Sequence, residues 1–276
     1  MGTSILLIGK PHSSKTVFLS QFYTKLSRKK SQLKLYKSGV DLTPISGARE
    51  ALASGEEPQP TPAEKSEGFY LPIQIGEEHV DLKCPEYGGE QVVGIVENRE
   101  LNKEWKISVQ ESNNWVLFIR LNNINKPLDI SDITYSENQH SNPSAEPAKT
   151  EDKLSDESFF IELLQIILHA RNFDYHFINS QIKLTVVLTC WDEMNTKENP
   201  RNLLETKLPL FLEFVESNWN EKYLNFIGLS AQGFSLKPPE NKEKYEINGP
   251  EEYGYIILPD GTKVDDITQL IGLALS

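Results

Sequence analysis

Gly9, Lys15 and Thr16 stand in the order and spacing of a phosphate-cradling loop. Residues 3–17 read Thr-Ser-Ile-Leu-Leu-Ile-Gly-Lys-Pro-His-Ser-Ser-Lys-Thr-Val. The pattern is G-x-x-x-x-G-K-[ST], with Ser14 where the last glycine belongs. Gly9 would permit the sharp turn off the preceding strand. The loop from Pro11 to Val17, with the N–H groups of His12, Ser13 and Ser14 among its donors, would surround phosphate oxygens at a helix N-terminus. Lys15 would reach the β/γ-phosphates and the Thr16 hydroxyl would ligate Mg²⁺. Such a string also arises by chance. The context that gives it meaning is a strand before and a helix after, and the sequence supplies both: an apolar run from Ile5 to Ile8, then a helical stretch from Val17 to Leu26. Ser14 is expected to take helical-entry dihedrals, so that its Cβ adds bulk near phosphate without forbidding the turn.

Other constellations follow strands further along the chain. Leu184 to Leu188 runs into Thr189-Cys190-Trp191-Asp192. An aspartate there can accept hydrogen bonds from N1–H and the exocyclic amine of guanine, a donor pair adenine lacks, and a buried acceptor left unpaired rejects the wrong base. The usual spelling is [NT]-K-x-D, whose lysine packs its stem near the base and steadies the phosphate loop; Cys190 replaces that lysine. The plainer alternative is a strand-end turn in which Asp192 caps the next segment. Phe226 to Leu229 ends in Ser230-Ala231-Gln232, the pattern of a loop that backs guanine with a backbone amide. Val80 to Cys84 is followed by Pro85-Glu86-Tyr87-Gly88-Gly89-Glu90. This resembles D-x-x-G, with Glu86 holding Mg²⁺ through water and the Gly89 amide sensing the γ-phosphate; an ordinary turn is the alternative.

These residues need a scaffold of strands alternating with helices, which implies a parallel sheet covered on both faces, with ligand at the carboxyl ends of its strands. Beyond the strands above, Trp115 to Leu121 is a near-continuous apolar run. Phe69 to Ile75 and His79 to Cys84 alternate as a hairpin about Gly76-Glu77-Glu78. Helices are expected at Ile45–Ala53, Phe159–Arg171, Leu203–Trp219 with Pro209 inside it, and Asp265–Leu275. Residues 136–156 read as a disordered surface insertion and 237–249 as a charged, mobile loop. The cluster Lys25, Arg28, Lys29, Lys30 and Lys34 reads as the solvated end of the first helix, with a partner patch as the alternative.

The chain has 276 residues, 38% of them hydrophobic, and a net charge of −12. That acidity disfavours nucleic-acid binding, because nothing offsets repulsion from the phosphates. Its two cysteines, Cys84 and Cys190, make neither a metal motif nor a disulfide framework. No basic leader and no long apolar run are present, so a soluble cytoplasmic protein with no membrane span is expected.

Taken together and in this chain order, the four loops resemble those of a Ras-like GTPase of the translation-factor-related class. More narrowly, the chain resembles the bacterial double-GTPase group seen near predicted defence and conflict gene clusters. That likeness rests on Gly-x4-Ser-Lys-Thr, on Pro44-Ile-Ser-Gly-Ala-Arg-Glu-Ala-Leu-Ala-Ser-Gly followed by Pro58-Gln-Pro-Thr-Pro, on the loops at Pro85 and Leu188, and on Tyr255-Ile-Ile-Leu-Pro-Asp-Gly-Thr with Asp266-Ile-Thr after it. The resemblance implies an α/β fold over residues 1–276: a single three-layer P-loop NTPase domain with a mostly parallel sheet and one antiparallel edge hairpin. It implies GTP and GDP as ligands, Mg²⁺ as cofactor, and a protein effector or GTPase-activating partner. It also implies a switch threonine that binds Mg²⁺ with its hydroxyl and the γ-phosphate with its amide: Thr61 first, Thr43 second. A water-orienting residue is not identified by Glu90 or Gln91, nor an arginine finger by Arg49 or Arg99. A degenerate module that binds nucleotide without turnover, and an ATP-using P-loop enzyme, stay open as alternatives.

Overall fold

The computed structural model describes residues 3–59, 68–85, 89–125, 154–173 and 177–276. Its centre is set by the apolar runs. β1 (Thr3–Gly9) is buried at every residue after Thr3, as a strand covered on both faces must be. It pairs in parallel with β4 (Glu78–Cys84) on one side and with β5 (Asn114–Arg120) on the other. β5 continues in parallel to β6 (Lys183–Thr189), and β6 to β7 (Leu224–Ser230).

With β2 (Lys34–Leu35), β3 (Phe69–Ile75), β8 (Tyr255–Ile257) and β9 (Lys263–Val264), the order is β2-β3-β4-β1-β5-β6-β7-β8-β9. The mostly parallel sheet is the one expected, and so is the β3–β4 hairpin. Antiparallel pairing occurs at the opposite edge as well, where β8 runs antiparallel to β7 and β9 to β8. The Pro-Asp-Gly turn at 259–261 allows this, since it reverses the chain directly between β8 and β9.

Side chains alternate across the sheet. Leu6, Ile8, Trp115, Leu117, Val186 and Leu188 face one core with α3 (Glu90–Asn98), α4 (Lys103–Glu111), α5 (Asp156–Ala170), α6 (Pro200–Lys207) and α7 (Pro209–Asn218). Ile5, Leu7, Val116, Phe118, Val187 and Ile227 face the other, with α1 (Lys15–Ser27), α2 (Thr43–Ala53) and α9 (Gln269–Leu275). Burying one such side chain contributes about 1.5–3 kcal/mol, so the two cores hold the strand ends, and the loops that leave them, rigidly.

Four expectations need correction. The helix expected over Leu203–Trp219 is two helices, broken at Leu208 (φ −139, ψ 63). Pro209 has no N–H to continue a helix and disfavours helical dihedrals in the residue before it. The loop expected at 237–249 contains α8 (Pro239–Asn248). Its charges face solvent, while Tyr245 is fully buried, stacked on Tyr253 with ring centroids 4.7 Å apart. The basic end of α1 is not simply solvated. Lys25 is buried and donates to the Glu251 carbonyl at 2.7 Å, Arg28 lies 3.8 Å from Glu251, and Lys30 pairs with Glu252 at 2.8 Å.

The last correction concerns the expected insertion at 136–156. Residues 126–153 lie outside the described residues, but Asp156 belongs to α5 and is buried. Its N–H donates to the Asn125 carbonyl at 2.9 Å, and its carboxylate accepts from the Asn125 N–H at 3.0 Å. This reciprocal pair joins the two ends of that stretch. No helix among the described residues is long and apolar enough to cross a membrane.

If α8 is held by its buried tyrosine, Tyr245→Ala should cost about 3–5 kcal/mol, read by urea unfolding. A change under about 0.5 kcal/mol, the size expected at a surface site, would show that α8 does not depend on that contact.

Candidate functional site

β1 delivers Gly9 to the carboxyl edge of the sheet, and the chain turns at once. A Cβ on Gly9 would lie 2.6 Å from the Ser13 hydroxyl and 3.0 Å from the Phe118 carbonyl. Close approach, rather than a left-handed backbone, is what demands glycine here. The turn closes with the Ser13 N–H donating to the Lys10 carbonyl at 3.3 Å. His12 and Ser14 both have positive φ, 62° and 61°. This overturns the helical-entry dihedrals expected of Ser14: the residue is left-handed, where glycine is natural and serine costs about 1–2 kcal/mol. A left-handed residue directly before the helical Lys15 makes the alternation that turns successive amides into an anion-binding concavity. Ser14 does not cap α1 with its side chain, and no acidic residue lies in the first turn, so the positive end of the helix is not neutralised there.

Lys15 is 3% exposed. Its ammonium lies over the loop, donating to the Gly9 carbonyl at 2.5 Å, the Lys10 carbonyl at 3.1 Å and the Ser13 hydroxyl at 3.3 Å. Gly89 covers the loop from the far side. With φ 96°, it stands where a Cβ would meet the Pro11 nitrogen at 2.5 Å and the Lys10 carbonyl carbon at 2.6 Å. Lys10, which sequence spacing did not single out, pairs with Asp156 at 2.5 Å and lies over the Phe159 ring. Half-buried Thr16 and Val17 lie in the first turn of α1. Thr61 and Glu86 lie outside the described residues. Among the described residues no group of three His, Cys, Asp or Glu could hold a metal. The Thr16 hydroxyl still suits Mg²⁺, which takes one or two protein ligands and completes its octahedron with phosphate oxygens and water.

The loop after β6 approaches from the other side. Thr189 is fully buried and donates to the Ile119 carbonyl at 3.3 Å. Cys190 is left-handed (φ 54°) and leads into a 3₁₀ turn, Trp191–Glu193. The Trp191 indole packs closely on β7 at Gly228, where a Cβ would fall 2.4 Å from the ring. That contact aims Asp192 at the sheet's carboxyl edge. The Ser230 hydroxyl donates to the Asp192 carboxylate at 2.5 Å and accepts from the Gly233 N–H at 3.0 Å. Burial pushes the Asp192 carboxyl above the usual range, against the hydrogen bond from Ser230. Ala231 is buried beside it, and the Gln232 amide donates to the Phe234 carbonyl at 3.1 Å.

Two of the departures from the expected motifs, Ser14 and Cys190, touch. Ser14 Oγ lies 3.2 Å from Cys190 Sγ, and burial raises the Cys190 thiol despite that contact. A cleft of about 380 Å³ opens beside this pair, lined by Ser14, Val17, Thr189, Cys190, Asp192, Ala231 and Gln232, and also by Glu57 and Arg120. Its size is that of small-ligand sites, roughly 300–1,000 Å³. Of the candidate phosphate-loop residues, Ser14 and Val17 line this cleft, while Pro11, His12 and Ser13 line an adjoining hollow.

Other candidates are engaged elsewhere. Gln91 accepts from the Asn102 amide at 3.0 Å and the Trp105 indole at 3.1 Å. Arg49 lies within α2, in the helix expected at Ile45–Ala53, and Arg99 lies at the end of α3. Arg99 pairs with Glu162 at 2.6 Å, and Arg49 lies over the Tyr23 ring. Thr43 begins α2, its N–H bonded to Asp41. Sequence reading passed over Arg120 and Glu57. The rule that ligands sit at the carboxyl ends of strands was the signal available for Arg120, the last residue of β5.

Two substitutions probe this geometry. Ser14→Gly should remove left-handed strain of about 1 kcal/mol and raise the melting temperature by roughly 2–4 °C in calorimetry; a fall would mean that the contact with Cys190 outweighs the strain. Gly89→Ala should destabilise the chain by about 3 kcal/mol in urea, because its Cβ meets backbone that cannot give way; an unchanged midpoint would contradict the packing described.

Among solved structures, the chain is similar to a bacterial selenocysteine-specific elongation factor, EF-Sec, at 12% identity and a TM-score of 0.40, over 90% of this chain and 29% of that one. It is also similar to the S. cerevisiae Ski7 GTPase-like domain bound to GTP, at 11% identity and a TM-score of 0.42, over 84% of this chain and 43% of that one. The chain thus spans less than half the length of these neighbours. No curated protein matches it. The model of the Double-GTPase 1 family matches residues 6–274, and the chain therefore belongs to that family of GTP-binding proteins.

Proposed function

We propose that this chain binds GTP with Mg²⁺, hydrolyses it slowly to GDP, and works as a molecular switch in a bacterial defence or regulatory system, as one cytoplasmic domain with a protein effector or activating partner. The observation that carries the reading is the cleft in which Ser14 and Val17, at the junction of the Gly9–Thr16 loop with α1, stand beside Thr189, Cys190, Asp192, Ala231 and Gln232, with Ser230 hydrogen-bonded to Asp192.

In this reading the loop amides and Lys15 hold the β/γ-phosphates and stabilise the charge that develops on them. Lys15 exchanges its carbonyl partners for phosphate oxygens. Thr16, Thr61 and Glu86 would hold Mg²⁺, which would supply positive charge to neutralise the phosphates. Asp192 accepts from guanine N1–H and the exocyclic amine, Ser230 fixes the carboxylate from behind, and the Ala231 amide backs the base. The Gly89 amide reads the γ-phosphate. Loss of that phosphate releases the segment around Thr61, which is the switch. Slow turnover fits the engagement of two candidates: Gln91, considered for orienting water, accepts from Trp105, and Arg99, considered as an arginine finger, pairs with Glu162.

Calorimetric titration with GTP, GDP and ATP in Mg²⁺ tests the reading. Guanine nucleotides should bind and ATP should not, Lys15→Ala should abolish binding, and Asp192→Asn should shift preference toward xanthine nucleotides. Absence of guanine-nucleotide binding would sink the proposal. Equal ATP binding, unchanged in Asp192→Asn, would point to an ATP-using enzyme. GTP binding with no phosphate release over many hours would leave a binding module without turnover.

A further inference from the structure

We propose that Arg120 contacts the bound guanine nucleotide and supplies, from the neighbouring strand, the cation that Cys190 does not. The inference deepens the guanine-nucleotide reading above and rests on it. Position 190 is where a lysine stem would pack near the base and steady the phosphate loop. Cys190 performs only part of that work, through its 3.2 Å contact with Ser14, and carries no positive charge to the cleft.

Arg120 is placed to supply it. It ends β5 and stands in register with Thr189, the residue that opens the base-reading loop. It lines the cleft that holds Ser14, Cys190 and Asp192, and also the adjoining hollow beside Lys10 and His12. Its side chain therefore flanks the phosphate loop along its base side. One end of the guanidinium is fixed: Nη2 donates to both carboxylate oxygens of Glu193, at 2.9 and 3.0 Å. Glu193 is itself steadied by Asn122 at 2.6 Å. Arg120 Nε is buried with no hydrogen-bond partner among the described residues. A surface ion pair formed only for stability contributes little and gives no reason to bury an unsatisfied donor, which is costly. A guanidinium held rigid by a carboxylate offers a planar face on which a purine can stack and donors for ligand oxygens. The Arg120–Glu193 pair then does what a lysine at 190 does in one side chain.

A double-mutant cycle tests this, with GDP affinity measured by calorimetry and unfolding followed without nucleotide. Arg120→Gln should weaken GDP binding about tenfold, the worth of one hydrogen bond to a charged group, with little change in melting temperature. Cys190→Lys should recover most of that loss in the Arg120→Gln background and raise affinity by a clearly smaller factor in the wild-type background, the non-additivity expected of two groups that share a role. If Arg120→Gln melts early, Arg120→Met keeps the stem, removes the charge and serves the same cycle. Unaltered GDP affinity in the arginine variants would overturn the proposal, as would a lysine at 190 acting equally in both backgrounds. A wild-type chain that fails to bind GDP would instead overturn the guanine-nucleotide reading itself.

Discussion

The backbone from Gly9 to Pro11 is crowded at two points. On one side the Phe118 carbonyl and the Ser13 hydroxyl leave no room for a Cβ at Gly9; on the other, Gly89 packs its bare Cα against Lys10 and Pro11. This double close approach fixes the loop relative to β1 and to the start of α3, and α1 begins where it ends. The two apolar cores hold the strands so that the crowding persists. The amides that could cradle phosphate are therefore placed by the fold before any ligand arrives, which reduces the ordering cost of binding.

Around that fixed loop the departures from the family pattern form a connected set. Ser14 places a hydroxyl where glycine would place nothing, and a cysteine meets it where lysine would reach across. Both residues hold left-handed backbone, so the contact joins two strained turns. Strain of this kind persists where surrounding structure over-determines it, and it clusters at functional sites. Lys10 and Asp156 extend the set outward, tying the Gly9–Thr16 loop to the Asn125–Asp156 pair. The α8 aromatic cluster extends it elsewhere: Gln21 of α1 donates to the Tyr245 hydroxyl, which donates to the carbonyl of Gln232 in the loop after β7.

The parallel sheet was legible because Ile5–Ile8, Trp115–Leu121 and Leu184–Leu188 are apolar without interruption, as burial on both faces requires. Thr189–Asp192 and Ser230–Gln232 were legible as loops because they end such strands. Backbone dihedrals were not: nothing in the letters Ser-Ser-Lys-Thr says that Ser14 is left-handed. Composition misled at 237–249, where charge outnumbers apolar residues but one buried tyrosine fixes the helix. It misled again at Lys25, whose charge is met by a backbone carbonyl distant in sequence. Arg120 was missed because no spacing rule marks a lone arginine at a strand end; its partners Glu193 and Cys190 come from another strand's loop.

The most direct test is a crystal structure of the chain grown with GDP and Mg²⁺. The β-phosphate should lie within the Gly9–Thr16 loop, Lys15 should have left the Gly9 carbonyl for a phosphate oxygen, and the guanine edge should meet the Asp192 carboxylate. A nucleotide seated elsewhere, a base turned away from Asp192, or a loop that stays unoccupied at saturating GDP would contradict the account.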